Sequence, residues 1–125
     1  MGGNERVVAV IDDDEPFRTA LVDSLHSLSY GARGFASAEE FVSGNVERSC
    51  ICVITDVHMP GMSGFDLMRL LASRNSKLPF IVITARAEQD LEAKAKAAGA
   101  ICFLRKPFQS SELIGCLESA LNVHS

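Results

Sequence analysis

The chain has 125 residues, a net charge of −4, and hydrophobic and charged shares of 47% and 22%. This length suits one domain with its own core and is too short for two, so we expect residues 1–125 to form a single domain. The acidic balance argues against direct nucleic-acid binding, which usually needs a basic face. Because no apolar stretch approaches the ~20 residues of a membrane span and the N-terminus lacks the apolar segment of a secretory signal, we expect a cytoplasmic protein.

Short apolar runs alternate with segments whose apolar residues recur every three or four positions, which predicts strands alternating with helices. In chain order, we predict a strand at residues 7–11, a helix at 15–28, a strand near 32–35, a helix opened by the capping-box sequence Ser37-Ala38-Glu39-Glu40, a strand at 51–55, a helix holding residues 65–71, a strand at 80–83, a helix at 88–98, a strand at 101–105 and a helix at 111–121. This alternation predicts an α/β fold, a doubly wound (βα)5 flavodoxin-like sandwich with a parallel sheet.

The fourth predicted helix differs from the others in its apolar face. That face is mostly alanine, and Asp90–Lys94 and Glu92–Lys96 are spaced as favourable i,i+4 pairs. Since a helix anchored by alanines buries little apolar area, we expect it to be the easiest helix to shift.

Charged and hydroxyl side chains stand where the predicted strands end. Strand one runs into Asp12 and Asp13, strand three into Asp56, strand four into Thr84 and strand five into Lys106. The strand order cannot be read from periodicity, but 2-1-3-4-5, one of the two common doubly wound orders, would place the three aspartates together. Carboxylates about 5 Å apart repel by roughly 3 kcal/mol at an effective dielectric of ~20. A hard cation such as Mg²⁺ removes that cost, so the pattern indicates metal-assisted phosphoryl chemistry.

Four segments together resemble the receiver domain of bacterial two-component response regulators, over nearly the whole chain. They are Val10-Ile11-Asp12-Asp13-Asp14-Glu15, Thr55-Asp56-Val57-His58-Met59-Pro60-Gly61-Met62-Ser63-Gly64, Ile83-Thr84-Ala85, and Lys106-Pro107-Phe108 with the preceding residues 98–105. The first and second segments look most like receivers that precede a helix-turn-helix output domain. The resemblance implies a sensor histidine kinase as phosphodonor, a phosphorylation-dependent homodimer, and a C-terminal DNA-binding output domain outside this chain.

The resemblance also implies roles for individual residues at the phosphorylation site. Asp56 would be the phosphoacceptor, and Lys106 would pair with the phosphoryl group. Mg²⁺, with Mn²⁺ as a substitute, would be held by Asp12, Asp13, Asp56 and the backbone carbonyl of His58. The Lys106–Pro107 peptide bond is expected to be cis.

Conformational switching, by the same resemblance, would depend on strands four and five. Thr84 would turn toward the phosphoryl group beside the Ala85 amide, and Phe103 would rotate inward behind it. The surface made by helix four, strand five and helix five would then change. Because Phe103 lacks a tyrosine hydroxyl, its inward state would rest on packing alone.

Two positions that the family leaves variable are expected to tune the rate of dephosphorylation. They are His58, two residues after the acceptor, and Arg86, two residues after Thr84. Both should flank the path of the hydrolytic water. Two solvated side chains without a kinetic role are the alternative.

Two other functions remain open at this point. A strand followed by Asp12 and Asp14 resembles the opening motif of haloacid-dehalogenase-type phosphatases, which would make the protein a turnover enzyme. That interpretation leaves Asp56 unexplained, and the chain lacks the later paired acids of that family. A pseudo-receiver that binds partners without accepting phosphate is the third possibility.

Cys50, Cys52, Cys102 and Cys116 show neither zinc-finger nor redox-motif spacing. Because Cys50 and Cys52 are two apart in a predicted strand, they are expected to point the same way. We interpret all four as small core residues in a reducing compartment.

Overall fold

Residues 6–86 and 88–124, which the computed structural model describes, form five strands and five α-helices in strict alternation, with a short 3-10 helix (Glu47–Ser49) just before the third strand. The elements are β1 (Val7–Ile11), α1 (Glu15–Ser27), β2 (Gly31–Phe35), α2 (Ala38–Ser43), β3 (Cys50–Asp56), α3 (Gly64–Ser73), β4 (Phe80–Thr84), α4 (Leu91–Ala97), β5 (Cys102–Arg105) and α5 (Ser110–His124). The predicted α/β fold is confirmed. Within the described ranges, no helix combines the length and apolar character needed to cross a membrane.

The strands form one parallel sheet in the order β2-β1-β3-β4-β5, which confirms the predicted order. Ile11 in β1 lies opposite Thr55 in β3, so Asp12 follows directly beside Asp56. In the same way Thr84 lies opposite Arg105, which places Lys106 just beyond β4. The polar residues therefore meet at the carboxyl edge of the sheet, where ligands bind in such folds.

Apolar side chains fill both faces of the sheet. On one face α1 and α5 contribute Leu21, Leu25, Leu113 and Leu117. On the other face α2, α3 and α4 contribute residues that include Phe41, Leu67, Leu71 and Leu91. Two packed layers hold the strand ends in fixed register.

The helix caps differ in part from the prediction. Ser37 caps α2 by accepting a hydrogen bond from the Glu40 amide at 3.0 Å, but the Glu40 carboxylate accepts from the Ala36 amide at 2.9 Å. The predicted reciprocal capping box at α2 is therefore only half formed. A complete box opens α3, where Ser63 and Asp66 each accept from the other's amide at 3.0 Å.

Helix α4 is shorter than predicted, since it begins at Leu91 rather than near residue 88. Asp90 stands at the N-cap without a side-chain cap bond, so it lies outside the regular helix that an i,i+4 pair with Lys94 would need. The ion pair that does form on this helix joins Glu92 to Lys96 at 3.2 Å. Its buried side chains are Leu91 and Ala95, consistent with a weakly anchored helix.

The expectation that Cys50 and Cys52 point the same way is wrong. Cys50 packs in the layer that contains Phe41, whereas Cys52 packs in the layer that contains Leu25. The pairing of β1 with β3 shifts register there, because Val7 lies opposite Cys50 and Val8 lies opposite Cys52. Such a bulge reverses the alternation of side chains at one residue. Both cysteines are free and buried, as expected.

The interpretation of all four cysteines as reduced is also wrong. Cys102 of β5 and Cys116 of α5 form a disulfide, with their Cα atoms 5.7 Å apart. That separation is usual for a disulfide. The pairing could not be inferred from spacing, because it depends on how α5 packs against β5.

Candidate functional site

An acidic cluster lies where β1 and β3 end side by side. The carboxylates of Asp12, Asp13 and Asp56 each offer one oxygen, and these oxygens lie within 4.8 Å of one another. Asp12 is fully buried, Asp56 is 8% exposed, and Asp13 faces solvent. Oxygen-only ligands at this separation suit a hard divalent cation such as Mg²⁺.

Lys106 provides a positive charge inside this cluster. Its Nζ lies 2.8 Å from Asp12 Oδ2 and 3.3 Å from Asp56 Oδ2, and it also lies 4.0 Å from the centroid of the Phe17 ring. The Lys106 amide donates to the Thr84 carbonyl at 2.8 Å, and the following bond to Pro107 is cis. Lys106, which follows β5, thus extends past the end of β4 to the carboxylates of Asp12 and Asp56.

The titration of the site follows from this arrangement. Burial raises the pKa of Asp56, the negative charge of Asp12 raises it further, and Lys106 and the His58 amide offset part of that rise. Burial alone would lower the pKa of Lys106, but its hydrogen bond to Asp12 and the two carboxylate charges outweigh burial and raise it. Both shifts follow from the close packing of the Asp12, Asp56 and Lys106 side chains.

The turn after β1 fixes Asp12 through groups that the sequence did not indicate. Asp12 Oδ1 accepts a hydrogen bond from the Asp14 amide at 2.9 Å, and the Asp12 carbonyl accepts from Arg18 at 2.7 Å. The Asp14 side chain itself caps α1 by accepting from the Phe17 amide at 3.3 Å. Asp14 therefore acts as a helix cap. The phosphatase interpretation would instead require Asp14 to act as an acid or base.

Residues after β3 surround Asp56 closely. The His58 amide donates to Asp56 Oδ1 at 3.2 Å, and the Gly64 amide that opens α3 donates to the Val57 carbonyl at 3.0 Å. A side chain at position 64 would overlap the backbone carbonyl of Asp56, so the loop from Met59 to Ser63 needs this glycine to bring α3 so near.

His58 and Arg86 both line an open cleft beside the acidic cluster, which Asp13 also lines. The lining residues are Asp13, His58, Met59, Pro60, Ser63 and Arg86. The structure adds Glu88, whose Oε1 lies 3.8 Å from Nε2 of the His58 ring. No sequence pattern pointed to Glu88, because the contact joins two loops that are adjacent only in the fold.

Thr84 stands at the carboxyl edge of β4 with its side chain buried. Its hydroxyl accepts a hydrogen bond from the Arg86 amide at 3.0 Å. In the described part of the chain, the hydrogen-bond donors to the Asp56 carboxylate are His58 and Lys106, not Thr84. Ala85 follows in the exposed start of the β4–α4 loop.

Phe103 lies half-buried on β5, on the face of the sheet that α3 and α4 cover. The guanidinium of Arg105 lies 5.2 Å from its ring centroid. Arg105 also donates to the carbonyls of Arg86 at 2.7 Å and Glu88 at 3.3 Å. Arg105 therefore joins the ring to the β4–α4 loop, a role that its place one residue before Lys106 did not suggest.

The amino-acid sequence of the chain is similar to that of known proteins. The family model for the response regulator receiver domain matches residues 8–118. The response regulator protein TmoT of Ectopseudomonas mendocina is 36% identical over 123 residues, which cover 98% of this chain and 56% of TmoT. The transcriptional regulatory protein FixJ of Bradyrhizobium diazoefficiens is 34% identical over 91% of this chain and 56% of FixJ. The chain thus spans about half the length of these relatives.

Solved structures show the same fold. The crystal structure of FixJ-N superimposes with a TM-score of 0.85 and 33% identity, covering 94% of both chains. The response regulator StyR superimposes with a TM-score of 0.86 and 32% identity, over 95% of this chain and 60% of StyR. Both superpositions include at least 94% of this chain.

Proposed function

We propose that this chain, which belongs to the response regulator receiver domain family, is a signalling switch operated by a phosphoryl group on Asp56. The observation that carries the proposal is the position of the Asp56 carboxylate. It lies 3.3 Å from the Lys106 ammonium and within 4.8 Å of two further carboxylates, one of which, Asp13, lines an open cleft. Among the regulators to which the chain is similar, TmoT, FixJ and StyR carry names of response or transcriptional regulators, not of turnover enzymes.

The chemistry is the transfer of one phosphoryl group to a carboxylate oxygen. An Asp56 oxygen attacks the phosphorus of a phosphohistidine on a sensor kinase, the P–N bond breaks, and a P–O bond forms. Phosphoryl transfer depends mainly on positioning and on neutralising charge. Lys106 can follow the negative charge from the carboxylate to the new phosphoryl oxygens, because its ammonium already lies within hydrogen-bonding distance of Asp56.

A divalent cation suits the donor set that the strand ends provide. Asp12, Asp13, Asp56 and the backbone carbonyl of His58 would hold Mg²⁺, with Mn²⁺ as a substitute. When bound, the ion supplies positive charge to a phosphoryl oxygen. The buried carboxylates of Asp12 and Asp56 share the single ammonium of Lys106, so a further positive charge would stabilise the site.

Switching would use the loop and strand on the far side of the site. Thr84 would exchange its hydrogen bond with the Arg86 amide for one with the phosphoryl group, beside the Ala85 amide, and Phe103 would turn inward. The weakly anchored α4 would then move relative to β5 and α5. We propose that the changed surface binds a second copy of the chain and controls a DNA-binding output domain, with residues 1–125 acting as a single receiver domain.

The proposal is tested by the intact mass of the chain after incubation with acetyl phosphate. With Mg²⁺ the mass should rise by one phosphoryl group, and with EDTA uptake should fall by about 100-fold or more, because the charge at the site is no longer balanced. Continued release of phosphate with repeated turnover, lost in Asp12→Asn, would instead establish the phosphatase. Metal binding without any mass increase would establish the pseudo-receiver.

The lifetime of the phosphorylated form should depend on His58 and Arg86, which both line the cleft. The double variant His58→Asn, Arg86→Ala removes two side chains from the cleft lining: an imidazole near Glu88 and a guanidinium. We expect water to reach the phosphoryl group more readily, so that dephosphorylation is about tenfold faster, a barrier change of about 1.4 kcal/mol. The decay of the phosphorylated mass after removal of acetyl phosphate measures this rate.

A matched control removes the same two side-chain types from exposed helix positions. His26→Asn on α1 combined with Arg69→Ala on α3 should leave the decay rate unchanged, because both residues lie outside the cleft. An equal rate in the cleft variant and the wild type would show that His58 and Arg86 are only solvated side chains.

A further inference from the structure

The disulfide between Cys102 and Cys116 joins two elements of the surface that would change on phosphorylation. Cys102 is the first residue of β5, and Cys116 lies in the middle of α5. Both pack in the layer between the sheet and α5, beside Leu113 and Leu117. The bond therefore fastens α5 covalently to the edge strand of the sheet.

The other two cysteines are poor candidates for the same chemistry. Cys50 and Cys52 are buried on opposite faces of β3. Burial raises the pKa of the Cys50 thiol to about 11 and that of Cys52 to about 12. Because Cys50 and Cys52 lie on opposite faces of β3, they cannot bond to each other, whereas Cys102 and Cys116 meet in one layer.

We propose that Cys102 and Cys116 are a reversible thiol–disulfide site, oxidised by small-molecule disulfides and reduced by small-molecule thiols, which fastens or frees α5. Cys102 is the point of entry, because it is half-buried whereas Cys116 is only 5% exposed. Their Cα separation of 5.7 Å allows the bond to form and break without displacing the backbone.

Oxidation by glutathione disulfide proceeds in two exchanges. The Cys102 thiolate attacks one sulfur of glutathione disulfide, which forms a mixed disulfide and releases one glutathione thiolate. The Cys116 thiolate then attacks the Cys102 sulfur and releases the second glutathione thiolate. Two electrons pass from the two cysteines to glutathione disulfide, and the two cysteine protons pass to solvent or to the released thiolates.

The bond restrains one side of β5 and not the other. Cys102 faces α5, and the next residue, Phe103, packs on the opposite face of the sheet with the layer that contains α4 residues Leu91 and Ala95. Oxidation should therefore suppress the opening of α5 from the sheet while leaving the Phe103 side of the strand unlinked. The proposed function enters only if this restraint on α5 also alters the surface that changes on phosphorylation.

The site is tested on the full chain in buffers with increasing ratios of oxidised to reduced glutathione. Samples are denatured in urea with iodoacetamide, and intact mass counts the free thiols. The chain contains four cysteines, and we expect the count to fall from four to two in one step, with peptide mapping placing the bond at Cys102–Cys116. The reduced count should return on adding dithiothreitol.

The effect on α5 is measured by amide hydrogen exchange without a phosphodonor, so the result does not depend on phosphorylation. Exchange in α5 should be slower by about tenfold in the oxidised chain, while exchange in α1 stays the same. The melting temperature should rise by about 10 °C on oxidation, as expected for closing a short loop. In Cys102→Ser, whose changed residue is half-buried, neither quantity should respond to glutathione.

Three results would overturn the proposal. They are a thiol count that stays at four under the most oxidising buffer, a bond that maps to Cys50 or Cys52, and exchange in α5 that is equal in the oxidised and reduced chains. Because acetyl phosphate is absent throughout, a failure here leaves the phosphoacceptor proposal intact, and a failure of phosphoryl uptake leaves this one intact.

Discussion

Replacing Asp56 with asparagine should abolish phosphoryl uptake from acetyl phosphate, with a loss of at least about 100-fold in rate. The carboxamide nitrogen and oxygen are far weaker nucleophiles than a carboxylate oxygen, while the side chain keeps its size. The His58 amide that now donates to Asp56 Oδ1 can still donate to the amide oxygen. Intact mass in the presence of Mg²⁺ measures the outcome.

A matched control separates this effect from the loss of one negative charge. Asp23→Asn removes a carboxylate from an exposed position on α1 and should take up the phosphoryl group at the wild-type rate. Uptake by Asp56→Asn at a comparable rate would show that another residue is the acceptor. Mapping of the modified peptide would then identify it, with Asp12 and Asp13 as the nearest carboxylates.

Replacing Lys106 with alanine should lower the free energy of unfolding by about 3 kcal/mol in EDTA at neutral pH. The change leaves the buried carboxylates of Asp12 and Asp56 without the ammonium that now lies 2.8 and 3.3 Å from them. The same excess of negative charge should raise Mg²⁺ affinity by about tenfold. Urea unfolding with and without Mg²⁺ measures both effects, and saturating Mg²⁺ should restore much of the lost stability.

The pH dependence of this difference has a definite sign. The pKa of Lys106 is raised in the folded chain, by its hydrogen bond to Asp12 and by the two carboxylate charges acting against burial. The stability that Lys106 adds is therefore fully present below its unfolded pKa and is lost as the pH rises through the raised value. The gap between wild type and Lys106→Ala should stay constant through neutral pH and narrow only under strongly alkaline conditions.

Lys96→Ala is the control for the lysine variant. It also removes one ammonium and one ion pair, but the pair with Glu92 is exposed on α4, and exposed pairs contribute at most about 1 kcal/mol. A loss of stability and a change in Mg²⁺ affinity that match those of Lys106→Ala would mean that net charge alone explains the result. In that case, the position of Lys106 beside the carboxylates would not explain the change in stability or in Mg²⁺ affinity.

The sequence predicted the residues at the strand ends well, for a physical reason. Buried parallel strands read as short continuous apolar runs, and the polar residues that follow each run mark the edge of the sheet. Asp12, Asp56, Thr84 and Lys106 were found in this way. Periodicity does not give the strand order. The order 2-1-3-4-5 was predicted because it places the three aspartates together, and the observed register, with Ile11 opposite Thr55, agrees with that order.

Features that depend on tertiary contacts were missed or wrongly predicted. The bulge that turns Cys50 and Cys52 to opposite faces is a property of the pairing of β1 with β3, which periodicity cannot reveal. The disulfide depends on how α5 packs on β5. The contacts of Glu88 and Arg105 join loops and strands that are distant in the chain, and an exposed charged residue gives no sequence signal of its partner.

The contacts of Arg105 have a consequence for cooperativity within the domain. One guanidinium lies against the Phe103 ring and at the same time donates to two carbonyls of the β4–α4 loop. If the ring turns away, the loop is held by a guanidinium that has lost its aromatic neighbour, so the free energies of the two rearrangements are not independent. Such coupling is reciprocal. A ligand or partner that immobilises the loop would therefore bias the orientation of the ring by the same free energy with which the ring biases the loop.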